Sequence, residues 1–289
     1  MKQRSIITIA LLTTLRLTLY PAVAQFPGQH PFPGVTYKQE THQDPPMRLF
    51  IAEVDLTSRK LKIRVSPGGP DPDGPGEWET TLMEPTKVAA REGFDLAING
   101  DFFKALRVED AEGRKSHYRA DMWASVVGPA VTDGKVWSTS HDRTPCLMVR
   151  KNGRVSIDML DKPSADAQEV IAGNVLLVEK GKPNTYVSDK SRHGRTVVGL
   201  NEQNTRLIIL VVDGLKPGVS IGMTYEELAN EMVNLDCYTA LNLDGGGSSV
   251  MVMRDPADGT FQIINSPSDG RERAVANVLG INVENGQEK

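Results

Sequence analysis

The chain has 289 residues, 39% of them hydrophobic and 24% charged, and a formal net charge of −4. That length and balance are those of one elaborated globular domain. The acidic surplus excludes a bulk attraction to nucleic acid or to an anionic membrane, so an anionic ligand has to be met by a local cluster of arginines.

Residues 1–24 have the layout of a secretory signal peptide. Lys2 and Arg4 precede the apolar run Ile6 to Leu12, and Ala22-Val23-Ala24 offers a cleavage site before Gln25. Arg16 interrupts the apolar stretch, which argues against a spanning anchor, and no other segment is long and apolar enough to cross a bilayer. The expectation is an exported protein, periplasmic or secreted, without stable membrane insertion. Without residues 1–24 the chain keeps 30 basic and 37 acidic residues, a formal charge of −7. The two cysteines, Cys146 and Cys237, lie in no Cys-x-x-Cys or zinc-type spacing. After export they can pair, but two buried, unpaired thiols are the favoured reading.

Residues 25–46 are rich in Pro, Gly and polar groups and read as an extended arm or a first edge element; residues 47–289 read as one domain. RLFIAEVDL and LKIRVSP both alternate, which predicts a hairpin around the turn at Thr57–Lys60. Residues 67–79 form a Pro/Gly-rich loop, and 80–93 read as a helical segment stopped by Gly93. Short strands follow: FDLAING, VSIDML, EVIAGNVLLVEKG, RTVVGLN and TRLIILVVDG. Asp133-Gly134 and Asn152-Gly153 mark hairpin turns. MTYEELANEMVNLDC (223–237) is the clearest helix, with Thr224 and Glu227 as a capping box. YTALNLD, SVMVMR and AVANVLGINV close the chain. The pattern predicts an α+β fold: a single domain with a mixed, largely antiparallel sheet and a few helices.

Three consecutive glycines stand between a carboxylate and two serines in ALNLDGGGSSVMV (240–252). Glycine weakens a strand, so a run of three implies a tight turn or the close approach of backbone N–H groups to a ligand. Composition alone leaves both open, and no Gly-Lys-Ser/Thr follows that would make a P-loop. Three more stretches put polar groups at strand ends: NGDFF (99–103), SRHGRTVVGL (191–200) and PSDGRERAVANVLG (267–280). Singly, each also fits a surface or core role. No Cys, His and acid cluster has metal-ligand spacing, so neither a metal nor a cofactor is expected.

Taken in order, NGDFF, RHGRTVVGL, VVDG with GMTYEELANEM, ALNLDGGGSSVMV and NSPSDGRERAVANVLG resemble the phosphodiester glycosidase family over roughly residues 90–285. The resemblance implies cleavage between an anomeric carbon and a phosphodiester oxygen, giving free sugar and a phosphomonoester. It also implies which positions do this: Asn99, Gly100, Arg195, Thr196, Asp213, Gly214, Asn242, Asp244 with Gly245, Gly246 and Gly247, Asp269 and Arg273. Two positions depart from it, Asp101 where the family commonly has Gly and Gly194 where it has Pro.

The chemistry suits these residues. A phosphate leaves readily, so what helps is positive potential on it, from Arg195, Arg273 and the Gly245–Gly247 amides. A carboxylate near the oxocarbenium-like centre activates water or attacks directly; Asp244 is the first candidate and Asp213 the second. Asn99, Gly100, Asp101, Thr196, Asn242, Ser248 and Asp269 complete the expected substrate contacts. His193 either orients a phosphate or carboxylate or is a satisfied structural histidine. The expected partner is a sugar phosphate or phosphoglycan, with N-acetylglucosamine the first sugar to consider. A binding module without turnover and a metal-dependent phosphodiesterase cutting P–O are the alternatives.

Overall fold

The computed structural model describes residues 30–107, 109, 112–113, 116–140, 142–187 and 189–284. The expected signal peptide lies outside the described residues. The chain opens with β1 (Val35–Gln43), β2 (Pro46–Asp55), β3 (Leu61–Pro67) and β4 (Thr80–Thr81). Helix α1 (Pro85–Glu92) leads into β5 (Leu96–Asn99), β6 (Phe103–Ala105) and β7 (Trp123–Val126). Next come β8 (Ala130–Thr132), β9 (Lys135–Ser138), β10 (Thr144–Arg150), β11 (Val155–Leu160) and β12 (Ala167–Ala172). They are followed by β13 (Val175–Glu179), β14 (Lys182–Pro183), β15 (Arg195–Leu200) and β16 (Arg206–Val212). Helix α2 (Tyr225–Asn234) precedes β17 (Thr239–Asn242), and β18 (Met251–Arg254), β19 (Phe261–Ile263) and β20 (Asn277–Val283) complete the domain.

The strands form a seven-stranded sheet in the order β1-β2-β16-β15-β17-β13-β14, two five-stranded sheets, β19-β18-β5-β20-β3 and β11-β10-β12-β8-β9, and a small sheet β4-β7-β6. Every named pairing is antiparallel. The single domain, the largely antiparallel pairing and the few helices are as expected; the α+β class gives way to a more β-rich fold, with two α-helices among the described residues.

Alternation explains the layers. In β16, Leu207, Ile209 and Val211 face the main core, which also holds Ile98, Leu279 and Ile281 of the sheet opposite and Leu147 and Ile171 of the third. Ile208, Leu210 and Val212 face the other way, onto Tyr225, Leu228 and Met232 of α2. That double burial is why the strand reads as an unbroken apolar run. Helix α1 covers the far face of the second sheet through Val88 and Ala89 against Phe94, Val252 and Val278.

Local signals set the helix ends. Thr224 and Glu227 form the capping box of α2. Gly93, at φ 66°, closes α1 in the left-handed conformation. Helix α1 is shorter than the expected 80–93 segment, because Thr80–Thr81 pair with β7 and Pro85 fixes the first turn. The expected hairpin across Thr57–Lys60 does not form. Both edges of β2 are taken, by β1 and β16, and β3 crosses to the second sheet to pair with β20. Within 25–46, Val35–Gln43 is an edge strand paired along its length with β2. Cys146 and Cys237 are buried and unpaired.

Candidate active site

The site forms where the ends of β5, β15 and β17 meet the loop before β20. Asn99, wholly buried at the end of β5, ties these together. Its Nδ2 donates to the Asp244 carbonyl at 2.7 Å, and its Oδ1 accepts from the Thr196 hydroxyl at 2.7 Å and the Val250 N–H at 3.2 Å. The Asp244 N–H returns a bond to the Gly100 carbonyl at 3.0 Å, and the Leu243 N–H one to the Thr196 carbonyl at 2.9 Å. Asn99 and Thr196 thus hold the backbone of Asp244 in place. Asn99, expected to touch sugar hydroxyls, and Thr196, expected among the substrate contacts, instead have these polar atoms engaged inside the protein. Asn242 is buried too, but only in part engaged: its Nδ2 donates to Asn174 Oδ1 at 2.8 Å and to the Leu243 carbonyl at 2.9 Å, while its Oδ1 has no partner among the described residues.

The Asp244 side chain accepts the Gly245 N–H at 2.8 Å and bonds the Ser248 hydroxyl. Desolvation raises its pKa to about 6, with Ser248, Gly245 and the nearby Arg273 charge pulling it back. Arg273 completes the cluster. Its Nη1 reaches Ser248 Oγ at 3.4 Å, and Asp269 grips its Nε and Nη2 at 2.9 and 3.1 Å. Carboxylate and guanidinium therefore meet at one hydroxyl.

The glycine run has a steric cause. A Cβ on Gly247 would stand 2.0 Å from Arg273 Nη2 and 2.3 Å from Asp269 Oδ1, so only glycine lets the Arg273–Asp269 pair lie against the turn. Gly246 sits at φ 61°. The expected cradle of three free amides is corrected, since the Gly245 N–H goes to Asp244 and the Gly246 N–H to the Gly194 carbonyl at 2.8 Å. Gly100 likewise has no room for a side chain: a Cβ would meet Asn277 Oδ1 at 2.2 Å.

Arg195 does not join this cluster. It is buried, donates from Nε to the Met223 carbonyl at 3.0 Å and from Nη2 to Asp189 at 3.0 Å and the Ser191 carbonyl at 2.8 Å, and stacks 4.4 Å over the Tyr225 ring. Its Nε and Nη2 are thereby committed to the protein, against the expected role as a forked donor to phosphate. Asp189 is half-buried, and its carboxyl is held down to about 2 by the Ser191 N–H and then by Arg195. His193 contributes its backbone, pairing with Met223 beside α2.

Asp213 is buried at the end of β16, where Oδ1 accepts from Ser266 N at 2.8 Å and Asn265 Nδ2 at 3.1 Å. Desolvation raises it to about 6, and the cations that act on it are Lys216 and Arg48. Asp101 is buried beside the cluster. Its Oδ1 accepts the Ala172 N–H at 2.7 Å, its own N–H donates to Asn277 Oδ1 at 2.8 Å, and Oδ2 has no partner. Burial pushes its carboxyl well above the usual range, and the charges of Glu79 and Asp244 push the same way.

Beside Arg273 opens a cavity of about 410 Å³ walled by Arg107, His117, Tyr118, Asp269, Arg271 and Arg273. The guanidinium carbons of Arg107 and Arg273 lie 4.7 and 5.0 Å from the Tyr118 ring centroid. Arg107, His117 and Tyr118 went unnoticed in the sequence, where the loop after β6 carries no turn or repeat signal. Asn277 was missed as well, because it sits within a strand-like run. Among the described residues, no group of three or more His, Cys, Asp or Glu side chains converges as a metal site requires.

The phosphodiester glycosidase family model matches residues 92–282. The chain belongs to that family. Of the curated relatives, the bovine N-acetylglucosamine-1-phosphodiester alpha-N-acetylglucosaminidase is 26% identical over 202 residues, 63% of this chain and 36% of the relative. An uncharacterized SPbeta prophage-derived protein, YomE of Bacillus subtilis (strain 168), is 33% identical over 140 residues, 47% of this chain and 20% of the relative. This phosphodiester glycosidase homologue thus spans little more than a third of the longer-matched relative. Among solved structures, the zebrafish catalytic domain of N-acetylglucosamine-1-phosphodiester alpha-N-acetylglucosaminidase, auto-inhibited by its pro-peptide, superposes with a TM-score of 0.59 at 21% identity, covering 90% of this chain and 87% of that one. A hypothetical protein from Synechocystis superposes with a TM-score of 0.56 at 12% identity, covering 87% and 62%. These two likenesses show a shared fold.

Proposed function

We propose that the protein is an exported hydrolase that cleaves the C1–O bond of a sugar-1-phosphodiester, with N-acetylglucosamine the first sugar to test. One observation carries the proposal: Asp244 and Arg273 converge on Ser248, and Arg273 with its partner Asp269 also walls an arginine-rich cavity. Family membership and the two relatives named for this activity support it. The export reading rests on the pattern of residues 1–24.

In this mechanism Arg273, aligned by Asp269, receives the phosphoryl oxygens. Asp244 takes a proton from the attacking water as that oxygen bonds to C1. The C1–O bond breaks, and its electron pair stays on the phosphate, which leaves as a phosphomonoester. A pKa of about 6 suits Asp244 to this work, since it is mostly ionised at neutral pH yet basic enough to accept a proton. Guanidinium charge on the departing phosphate offsets the need for a strong general acid.

The test is release of free N-acetylglucosamine from UDP-N-acetylglucosamine by the purified protein and by Asp244→Asn. Release by the wild type and its loss in the variant support the reading. A folded protein that binds the compound without releasing sugar is instead a binding module.

A further inference from the structure

We infer that the arginine-walled cavity takes a leaving group with two linked phosphoryl groups, so that the preferred substrate is a sugar diphosphate ester and not a simple phosphodiester. The inference rests on the proposed glycosidic cleavage at Asp244 and names the substrate class of that site.

Charge is the first ground. A phosphodiester linkage carries one negative charge. The cavity wall holds three arginines, Arg107, Arg271 and Arg273, and His117, against one carboxylate, Asp269. Asp269 is bound to Arg273 by a paired contact and neutralises that one guanidinium. Among the described residues that line the cavity, Arg107 and Arg271 then add positive charge beyond what one phosphoryl group requires. Gathering like charges around one cavity is unfavourable unless an anion fills it.

Placement is the second ground. Arg273 is the innermost of the three, since it alone reaches Ser248 and acts on Asp244. A phosphoryl group attached to C1 therefore meets Arg273 first. Tyr118 holds the Arg107 and Arg273 guanidiniums against its ring, so Arg107 is fixed beside the inner site. Its Nε is further held by the Ser116 carbonyl at 2.8 Å, which fixes the plane of the guanidinium on the cavity wall. Arg271 stands exposed at the mouth, two residues before Arg273. Forked guanidinium donors at successive depths match successive phosphoryl groups. A volume of about 410 Å³ accommodates a diphosphate with part of its attached group.

Two ligand pairs differing by one phosphoryl group test this. The first is UDP-N-acetylglucosamine against uridine 5′-(N-acetylglucosaminyl phosphate), compared by kcat/KM. The second is UDP against UMP, compared by calorimetric affinity, a readout that needs no turnover. The inference predicts a preference of about tenfold or more for the diphosphate in both pairs, a difference of about 1.4 kcal/mol. It also predicts that Arg107→Gln/Arg271→Gln brings both ratios close to one, and that salt weakens UDP binding more steeply than UMP binding. Because each result is a ratio on one protein preparation, partial unfolding of the variant cancels. Equal kcat/KM values, or equal affinities for UDP and UMP, overturn the inference while leaving glycosidic cleavage intact. Tight, arginine-dependent UDP binding without sugar release upholds the cavity assignment and overturns the hydrolase.

Discussion

Arg195 and Arg273 sit in similar stretches of sequence, each after a glycine-containing polar run and just before a buried strand. The fold gives them opposite work. Arg195 is 5% exposed, with Met223, Ser191, Asp189 and the Tyr225 ring all around it, and it locks the 189–195 loop to the start of α2. Arg273 is half-buried, braced by one carboxylate, lines an open cavity, and acts by its charge on Asp244. An arginine whose Nε and Nη2 are held by protein builds the site; one with a braced fork and an open face can bind an anion. The same division separates Asn99 and Thr196, which hold the backbone of Asp244, from the Asp244 carboxylate itself.

The largest expected effect is at the carboxylate. Asp244→Asn lowers kcat by about 10³-fold while the thermal midpoint holds or rises; full activity in a folded Asp244→Asn protein would remove Asp244 from the mechanism. Next, Arg273→Gln lowers kcat/KM by about 10²-fold with little change in the melting temperature. Arg195→Gln does the reverse. It strips a buried guanidinium from two carbonyls and an ion pair, at a cost of about 2–3 kcal/mol, and lowers the melting temperature by roughly 5 °C or more. If Arg195→Gln were as stable as the wild type but inactive, the division between the two arginines would fail.

The pH profile sharpens the comparison further. With Asp244 as base and its pKa near 6, log kcat/KM rises with pH up to about 6 and then levels. Stability runs the other way. Asp213 and Asp244 are raised from 3.8 to about 6 and Glu169 from 4.5 to about 7, each mainly by burial. The folded state therefore binds more protons than the unfolded chain across that range, and its stability falls as pH climbs from about 4 to about 7. A melting temperature higher at pH 5 than at pH 7.5 is the smallest of these effects. It is read by calorimetry, and a rise with pH instead would contradict the burial of these carboxylates.

Much of this was legible in the chain. Asp133-Gly134 and Asn152-Gly153 do close hairpins, the capping box does start α2, and alternation found most of the strands. Which strand pairs with which was less legible. β2 pairs with β16 on one edge and β3 with β20, each more than 150 positions away, and nothing local names these partners. The sequence motifs named Asp244, Ser248, Asp269 and Arg273, four residues that the fold brings into one cluster. They did not separate Arg195 from Arg273, because motif order carries no record of which donors are already filled. Arg107, His117 and Tyr118 come from a loop without periodicity, and only folding brings them against residues 269–273.

Hydrolysis of UDP-N-acetylglucosamine in oxygen-18 water tests the central claim most directly, because it reports which bond breaks. Attack at C1 puts the label in the released sugar and leaves the nucleotide product unlabelled. Label in the phosphate of the products would show P–O cleavage and contradict the roles given to Asp244 and Arg273.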